Sequence, residues 1–193
     1  MGFLKHIFGN KKPSPSKENS QYLPDIERPV EISFAKNFIN RGGKFIYCEN
    51  SEDTLFYFNQ ILEENGWGNN EIGFSSPVLG SFFNLTKKVS TPKALVMHCE
   101  YLVANKGAIL ICNRQIEDKK LSELPENLII VAKTSEFIND VSEAMTAINK
   151  KYKDNLPSNI TTLNAFDPTK ENDFLSYGGN SKHLYLLVQE VNQ

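Results

Sequence analysis

The chain has 193 residues, of which 40% are hydrophobic and 23% are charged, and this composition is typical of a globular protein with one domain. The 21 basic and 23 acidic side chains give a formal net charge of −2, so the composition shows no sign of the basic surface with which proteins bind nucleic acids. No apolar run approaches the roughly 20 residues of a membrane-spanning helix, and the chain does not start with the apolar stretch of a signal peptide.

The first 29 residues divide into an arm and a linker. Residues 1–12 form a short amphipathic arm, in which four apolar side chains can share one face of a helix: Phe3, Leu4, Ile7 and Phe8. This arm is either an anchor for a membrane surface or a partner protein, or a loosely docked terminus. Residues 13–29 are rich in Pro and Ser, and we interpret them as a flexible linker.

The folded domain is predicted to be a single unit over residues 30–193. Its first half alternates helix and strand: a helix from Val30 to a stop at Gly42-Gly43, a strand at Lys44–Cys48, a helix capped by Ser51 that ends at Asn65-Gly66, and a strand at Glu71–Ser75. The apolar face predicted for the first helix comprises Ile32, Ala35, Phe38 and Ile39. This alternation is typical of an α/β layered fold with parallel strands.

The second half is predicted to contain five more strands and one long helix. The strands are Ala94–His98, Ala108–Cys112, Leu128–Lys133, a short one at Ile160–Leu163, and His183–Val188. Ser135 is the predicted cap of the helix, which runs to about Tyr152. The continuous apolar runs among these strands favour a sheet that is covered on both faces.

The three cysteines are Cys48, Cys99 and Cys112. None belongs to a Cys-x-x-Cys pair, and an odd number does not suggest a disulfide framework. Each lies in or beside an apolar run, where cysteine is usually a small buried hydrophobic side chain. We therefore expect no metal or iron–sulfur site within this chain, and a reducing, cytoplasmic location.

Two glycine-centred turns are the candidate ligand sites, because the sequence lacks the common phosphate-binding, nucleophile and zinc motifs. Each turn adjoins a predicted strand, and the first joins two apolar runs as in a hairpin or a strand corner. The candidate ligand-binding residues are Asn105, Lys106, Gly107, Gly178, Gly179 and Asn180. Backbone N–H groups of such turns can hold a carboxylate or a phosphate, to which Lys106 or Lys182 would add positive charge. The alternative is that both are only turns.

Two titratable side chains are candidates for catalysis. Glu100 lies near the first turn and is a candidate general base or nucleophile, although such a residue is more often solvated or a local cap. His183 begins the last strand, next to the second turn, and is the better candidate of two histidines. His98, at the end of an apolar strand, is better explained as structural.

Three segments of the C-terminal half follow one another in an order that is typical of a known family. They are Tyr101–Cys112, with a turn before an apolar strand; Leu124–Ala132, a Leu-Pro strand before a helix; and Ser176–Val188, a glycine turn before a closing strand. In the same order they resemble the Ala-x-x-Ala-Glu-Thr-Gly-Thr segment, the Leu-Pro-x-x-x-x-Val-Val-Val strand and the closing strand of the LUD domain. That domain is found in lactate utilization protein C and in part of lactate utilization protein B.

The resemblance covers roughly residues 44–190. It implies a three-layer α/β/α fold with a mostly parallel sheet, the NagB/RpiA/CoA transferase-like fold of sugar-phosphate isomerases and coenzyme A transferases. The chain departs from the family segment where Asn105-Lys106 replaces Glu-Thr and Ala108 replaces Thr. A carboxylate and two hydroxyls are thus missing from this corner, and the chain resembles a divergent member.

The family resemblance implies a function associated with lactate utilization. The chain would be an accessory or substrate-binding subunit in the oxidation of lactate to pyruvate, with partner subunits that supply iron–sulfur or flavin groups. One alternative is an enzyme of the isomerase or transferase fold type, which would use Glu100 or a loop residue on a phosphorylated or acyl substrate. Two or more titratable groups that converge in one pocket would favour it. Another is a non-catalytic interaction module held in place by the arm of residues 1–12.

Overall fold

The structure of the chain is a computed structural model, which describes residues 28–85, 89–165 and 181–191. The helices are α1 (Val30–Asn40), α2 (Ser51–Asn65), α3 (Pro77–Phe82), α4 (Asn113–Ile116) and α5 (Val141–Tyr152). The strands are β1 (Lys44–Cys48), β2 (Ile72–Phe74), β3 (Ala94–His98), β4 (Tyr101–Val103), β5 (Ala108–Ile111), β6 (Asn127–Lys133), β7 (Phe137–Ile138), β8 (Thr161–Ala165) and β9 (Ser181–Gln189). The predicted arm, the linker up to residue 27 and the second glycine turn (Gly178, Gly179 and Asn180) lie outside the described residues.

Five strands form a parallel central sheet in the order β2-β3-β6-β9-β1. Their side chains alternate between two faces, and both faces are buried along most of β3, β6 and β9, which is why these strand sequences are almost continuously apolar. The predicted α/β fold with a mostly parallel sheet is thus confirmed.

Helices α2 and α3 cover one face of the central sheet. Phe58 of α2 and Phe83, just after α3, pack their rings 4.2 Å apart over strand residues such as Val96 and Ile129. Burying these side chains removes apolar surface from water, at roughly 25 cal/mol per Å², and this fixes the helices to the sheet.

The opposite face is covered by α1 and by a second, smaller sheet of β7, β4, β5 and β8. Phe34 and Phe38 of α1 are fully buried between the two sheets. Helix α5 closes the outer side of the second sheet, where Ala144 and Ile148 pack on Val103.

The predicted hairpin is confirmed, since β4 and β5 are antiparallel neighbours joined through Asn105–Gly107. Gly107 has φ = 55°, a conformation that favours glycine. A Cβ atom at Gly107 would also meet the backbone nitrogen of Phe38, so the absence of a side chain lets the turn lie against α1. Asn37 of α1 strengthens this contact by donating a hydrogen bond to the carbonyl of Ala104 at 2.8 Å.

Three local predictions were wrong. Helix α5 begins at Val141 with Asp140 as its cap, not at Ser135, because the residues between them form a 3₁₀ turn and strand β7, which pairs with β4. The cap of α2 is Asn50, one residue before Ser51, and its side chain accepts from the N–H of Asp53 at 2.9 Å.

The third concerns the buried face of α1, which is formed by Phe34 and Phe38. The predicted face included Ile32 and Ile39, which are 58% and 38% exposed. The larger aromatic side chains, four residues apart, fill the space between the sheets instead. No helix in the described ranges has both the length and the apolar character to cross a membrane.

Candidate functional site

Glu100 lies between β3 and β4 and is only 2% exposed. Its carboxylate accepts hydrogen bonds from Gln115 Nε2 at 2.8 Å and from Lys151 Nζ at 3.0 Å, and the hydroxyl of Tyr152 lies 2.9 Å from both of its oxygens. Gln115 comes from α4, whereas Lys151 and Tyr152 end α5. Two helices thus converge on one buried charge at the open end of the hairpin.

These donors keep Glu100 ionised. Burial by itself would raise the pKa of Glu100, but the hydrogen bonds from Gln115, Lys151 and Tyr152 outweigh burial and hold that pKa below its ordinary value. Burial would lower the pKa of Lys151, and its bonds to Tyr152 and Glu100 raise it instead. A carboxylate with a lowered pKa and occupied lone pairs is poorly suited to accept a substrate proton.

Cys112 completes this group of residues, which we call the Glu100 cluster: Glu100, Cys112, Gln115, Lys151 and Tyr152. The thiol of Cys112 lies 3.4 Å from a Glu100 oxygen and 3.2 Å from Gln115 Oε1. Burial is the main reason that the pKa of Cys112 is raised to about 11, so the thiol is protonated at neutral pH and is not a reactive nucleophile.

The Asn105–Gly107 turn lies at the opposite end of the hairpin from Glu100. The N–H of Asn105 donates to the carbonyl of Asn139 at 2.9 Å, and the N–H of Gly107 donates to that of Ala104 at 3.2 Å. Both groups are therefore used within the fold, while the side chains of Asn105 and Lys106 are exposed. Ligand binding by these three residues stays a prediction.

His183 lies at the amino end of β9, far from the position of Glu100. Strand pairing aligns His183 with Asn127 and Asn127 with Ala94, whereas Glu100 follows the other end of β3. The four steps from Ala94 to His98 span about 13 Å at roughly 3.3 Å per step. The two predicted catalytic candidates are thus at different ends of the parallel sheet, and a catalytic role for either stays a prediction.

His183 instead borders a shallow groove of about 260 Å³ at the amino ends of the parallel strands. The residues that line this amino-end groove are Gly42, Lys44, Asn65, Asn127, His183, Leu184 and Tyr185. Apart from His183, none of them was singled out from the sequence. Their common position depends on the register of β1, β6 and β9, which the hydrophobic pattern does not encode.

A chain of hydrogen bonds orders the polar side chains of the amino-end groove. Lys44 Nζ donates to the hydroxyl of Tyr185 at 2.8 Å, and this hydroxyl donates to Asn65 Oδ1 at 3.0 Å. Asn65 in turn donates from Nδ2 to the carbonyl of Ile61 at 2.7 Å. Tyr185 is 4% exposed, so the packing around its ring holds it in place, and its hydroxyl orients the exposed Lys44 side chain.

Lys182, which the sequence offered as a source of charge, has a structural environment. It is 3% exposed, and its ammonium donates to the carbonyl of Leu124 and to a carboxylate oxygen of Glu126, each at 3.1 Å. A buried ammonium with these two partners is satisfied by the protein itself.

A further polar group lies at the carboxyl ends of β3 and β6. The thiol of Cys99 donates to Glu136 Oε2 at 3.6 Å, and the N–H of Lys133 donates to the same oxygen at 2.9 Å. Burial raises the pKa of Glu136, and the hydrogen bonds from the Lys133 N–H and the Cys99 thiol partly offset this rise. Burial also raises the pKa of Cys99 well above its ordinary value. Within the described parts of the chain, no group of three or more His, Cys, Asp or Glu side chains is placed to hold a metal ion.

The comparisons with known proteins agree with this architecture. The family model of the LUD domain matches residues 82–188, more than half of the chain. A crystal structure of a DUF162 family protein from Deinococcus radiodurans is similar in fold, with a TM-score of 0.58 and 16% sequence identity over 83% of this chain and 96% of that one. A comparison with curated proteins finds no match. The matched residues include the hairpin, the central strands β3, β6 and β9, and helix α5, and the chain belongs to the LUD domain family.

Proposed function

We propose that the chain is an accessory or substrate-binding subunit of a system that oxidises lactate to pyruvate. Membership of the LUD domain family supports an association with lactate utilization. In this proposal, partner subunits carry the iron–sulfur or flavin groups through which electrons leave the substrate. The chain itself contributes recognition of the substrate or of its partners.

The observation that favours an accessory role over catalysis is the state of Glu100. Glu100 is the acid that the sequence analysis named as a candidate catalytic residue. Its carboxylate oxygens, however, accept hydrogen bonds from Gln115, Lys151 and Tyr152. Its lowered pKa also opposes the proton uptake that a general base needs. These contacts favour a role in holding the hairpin to α4 and α5 over a role in turnover.

Affinity purification of the tagged full chain from extract of its native cells, grown on lactate, tests the proposal. We expect iron–sulfur or flavin oxidoreductase subunits to co-purify in amounts comparable to the bait, and to be absent when the tag alone is used. Recovery of the chain by itself, as a monomer or as a homo-oligomer, would contradict the proposed role.

A second candidate function is an enzyme acting on a phosphorylated or acyl substrate, and Glu136 favours it. Open α/β sheets bind ligands at the carboxyl ends of their strands, and Glu136 lies there with a raised pKa beside Cys99. Sugar phosphates and acyl thioesters should be screened by thermal shift and then for turnover. Turnover lost in Glu136→Gln but kept in the exposed control Glu117→Gln would favour this enzyme.

A further inference from the structure

We propose that the amino-end groove binds the carboxylate of a small 2-hydroxy acid. The choice of a 2-hydroxy acid rests on the proposed function, whereas the argument for a carboxylate comes from the groove itself. Among the candidate residues that lie in the described part of the chain, the catalytic candidate His183 lines this groove.

The first argument is the charge of Lys44. Its side chain is exposed at the groove, and an ammonium has three N–H donors, of which one is directed to the hydroxyl of Tyr185 at 2.8 Å. The ammonium also lies 4.3 Å from the centre of the Tyr185 ring. Because Tyr185 is buried and bonded to Asn65, it fixes the lysine in place before any ligand binds. An ordered ammonium forms strong, charge-assisted hydrogen bonds with a carboxylate.

The second argument is the presence of neutral polar groups beside this charge. Asn127 also lines the groove, and its side chain donates from Nδ2 to the carbonyl of Lys93 at 2.9 Å, a bond that does not use the amide oxygen. A hydroxyl group next to a carboxylate can donate to such an oxygen. His183 lines the same groove, and an imidazole N–H is a donor suited to an anion.

The third argument is size. The groove measures about 260 Å³, below the roughly 300–1,000 Å³ of pockets that hold drug-sized ligands. This volume is enough for an acid of a few carbon atoms. A single ordered ammonium is likewise matched to one carboxylate.

Titration of the full chain with sodium L-lactate, followed by NMR at an ionic strength held constant with sodium chloride, tests this site. We expect saturable shifts at the backbone amides around Lys44, Asn127 and His183. Lys44→Met should weaken binding at least tenfold, whereas Lys36→Met, which removes the same charge from the exposed side of α1, should leave the affinity unchanged. Binding by the Lys44→Met variant as tight as by the wild type would overturn the assignment.

Acetate and a second variant separate the parts of the proposal. Acetate offers the carboxylate alone, so we expect it to bind the same residues at least threefold more weakly than lactate; equal affinity would overturn the hydroxy-acid assignment. If Lys44→Met does not fold, His183→Ala should show the loss of affinity instead. Chemical shift changes centred on Lys106 would show that lactate binds at the hairpin turn, and they would overturn the assignment of the site to the groove.

Failure of the groove and failure of the proposed function give different results. Saturable lactate binding without co-purifying oxidoreductase subunits would retain the groove and reject the accessory role. Co-purifying subunits without lactate shifts would reject the groove and retain the role.

Discussion

Glu100 carries a negative charge in the interior because three polar side chains surround it. Without them, the cost of removing a carboxylate from water would drive it to its neutral form. This one side chain accepts a hydrogen bond from each of three residues, Gln115, Lys151 and Tyr152. The charge therefore ties α4 and the end of α5 to the hairpin, and loss of the charge should loosen both contacts.

Glu100→Gln is expected to lower the free energy of unfolding by about 2 kcal/mol, since a buried amide would leave donors facing donors. Urea unfolding measures this loss, and Glu64→Gln, an exposed change in α2, should alter stability by less than about 0.5 kcal/mol. Equal effects of the two substitutions would show that the cluster is not structural.

The same pair of proteins predicts a dependence on pH. Because the native pKa of Glu100 is lowered, its contribution to stability is complete above the pKa of an unfolded glutamate, about 4.3, and is lost as pH falls through the native value. The difference in unfolding free energy between wild type and Glu100→Gln should thus be constant from about pH 5 to 7 and shrink below about pH 4. A difference that grew with acid would contradict the assigned direction.

Single residues were the hardest part to predict from sequence. Glu100 stood out because it is an acid between two apolar runs. Its partners Gln115 and Lys151 could not be predicted, because they lie 15 and 51 positions further along the chain. Neither Lys44 nor Asn65 could be recognised as a site residue from the sequence, since a lysine that starts a strand and an asparagine that ends a helix are common. The register of β1 against β9 brings Lys44 beside Tyr185, and the packing of α2 on the sheet brings Asn65 to the same hydroxyl.

At the scale of elements, the hairpin turn depends on the missing side chain of Gly107. Gly107 and Gly66 both have positive φ, at 55° and 64°, but a Cβ at Gly66 would meet open space while one at Gly107 would meet the backbone of α1. An alanine at Gly66 would therefore suffer backbone strain alone, whereas an alanine at Gly107 would suffer the same strain and a steric clash.

Gly66→Ala is expected to cost about 1 kcal/mol, the strain of a left-handed alanine. Gly107→Ala should cost about 3 kcal/mol or more, because the overpacking against Phe38 adds to the same strain. Thermal and urea unfolding of both variants measure the difference. Similar losses would mean that the turn can move away from α1, contrary to the packing described above.

Strands were predicted more accurately than helix ends. β1 and β3 were predicted to the residue, because short apolar runs between glycine, proline and polar residues leave little freedom. The start of α5 was missed because Ser135 resembles a cap while the following residues pair with β4. That pairing is a long-range contact, and no local pattern reports it.

For the whole molecule, β9 is the strand that joins the two sheets. Its first residues, Ser181 and Lys182, pair with β8 of the second sheet, and residues 183–189 pair with β6 of the central sheet. His183 therefore lies where the sheets diverge, beside the amino-end groove. The alternation of helices and strands predicted the central sheet, whereas the second sheet depends on pairings that alternation does not specify.

The proposed role of this LUD-domain chain in lactate oxidation is tested most directly by the consumption of lactate by its native cells. Deleting the gene should reduce lactate consumption at least tenfold while leaving growth on another carbon source unchanged. A plasmid copy of the wild-type chain should restore consumption. Unchanged lactate consumption in the deletion strain would contradict the claim.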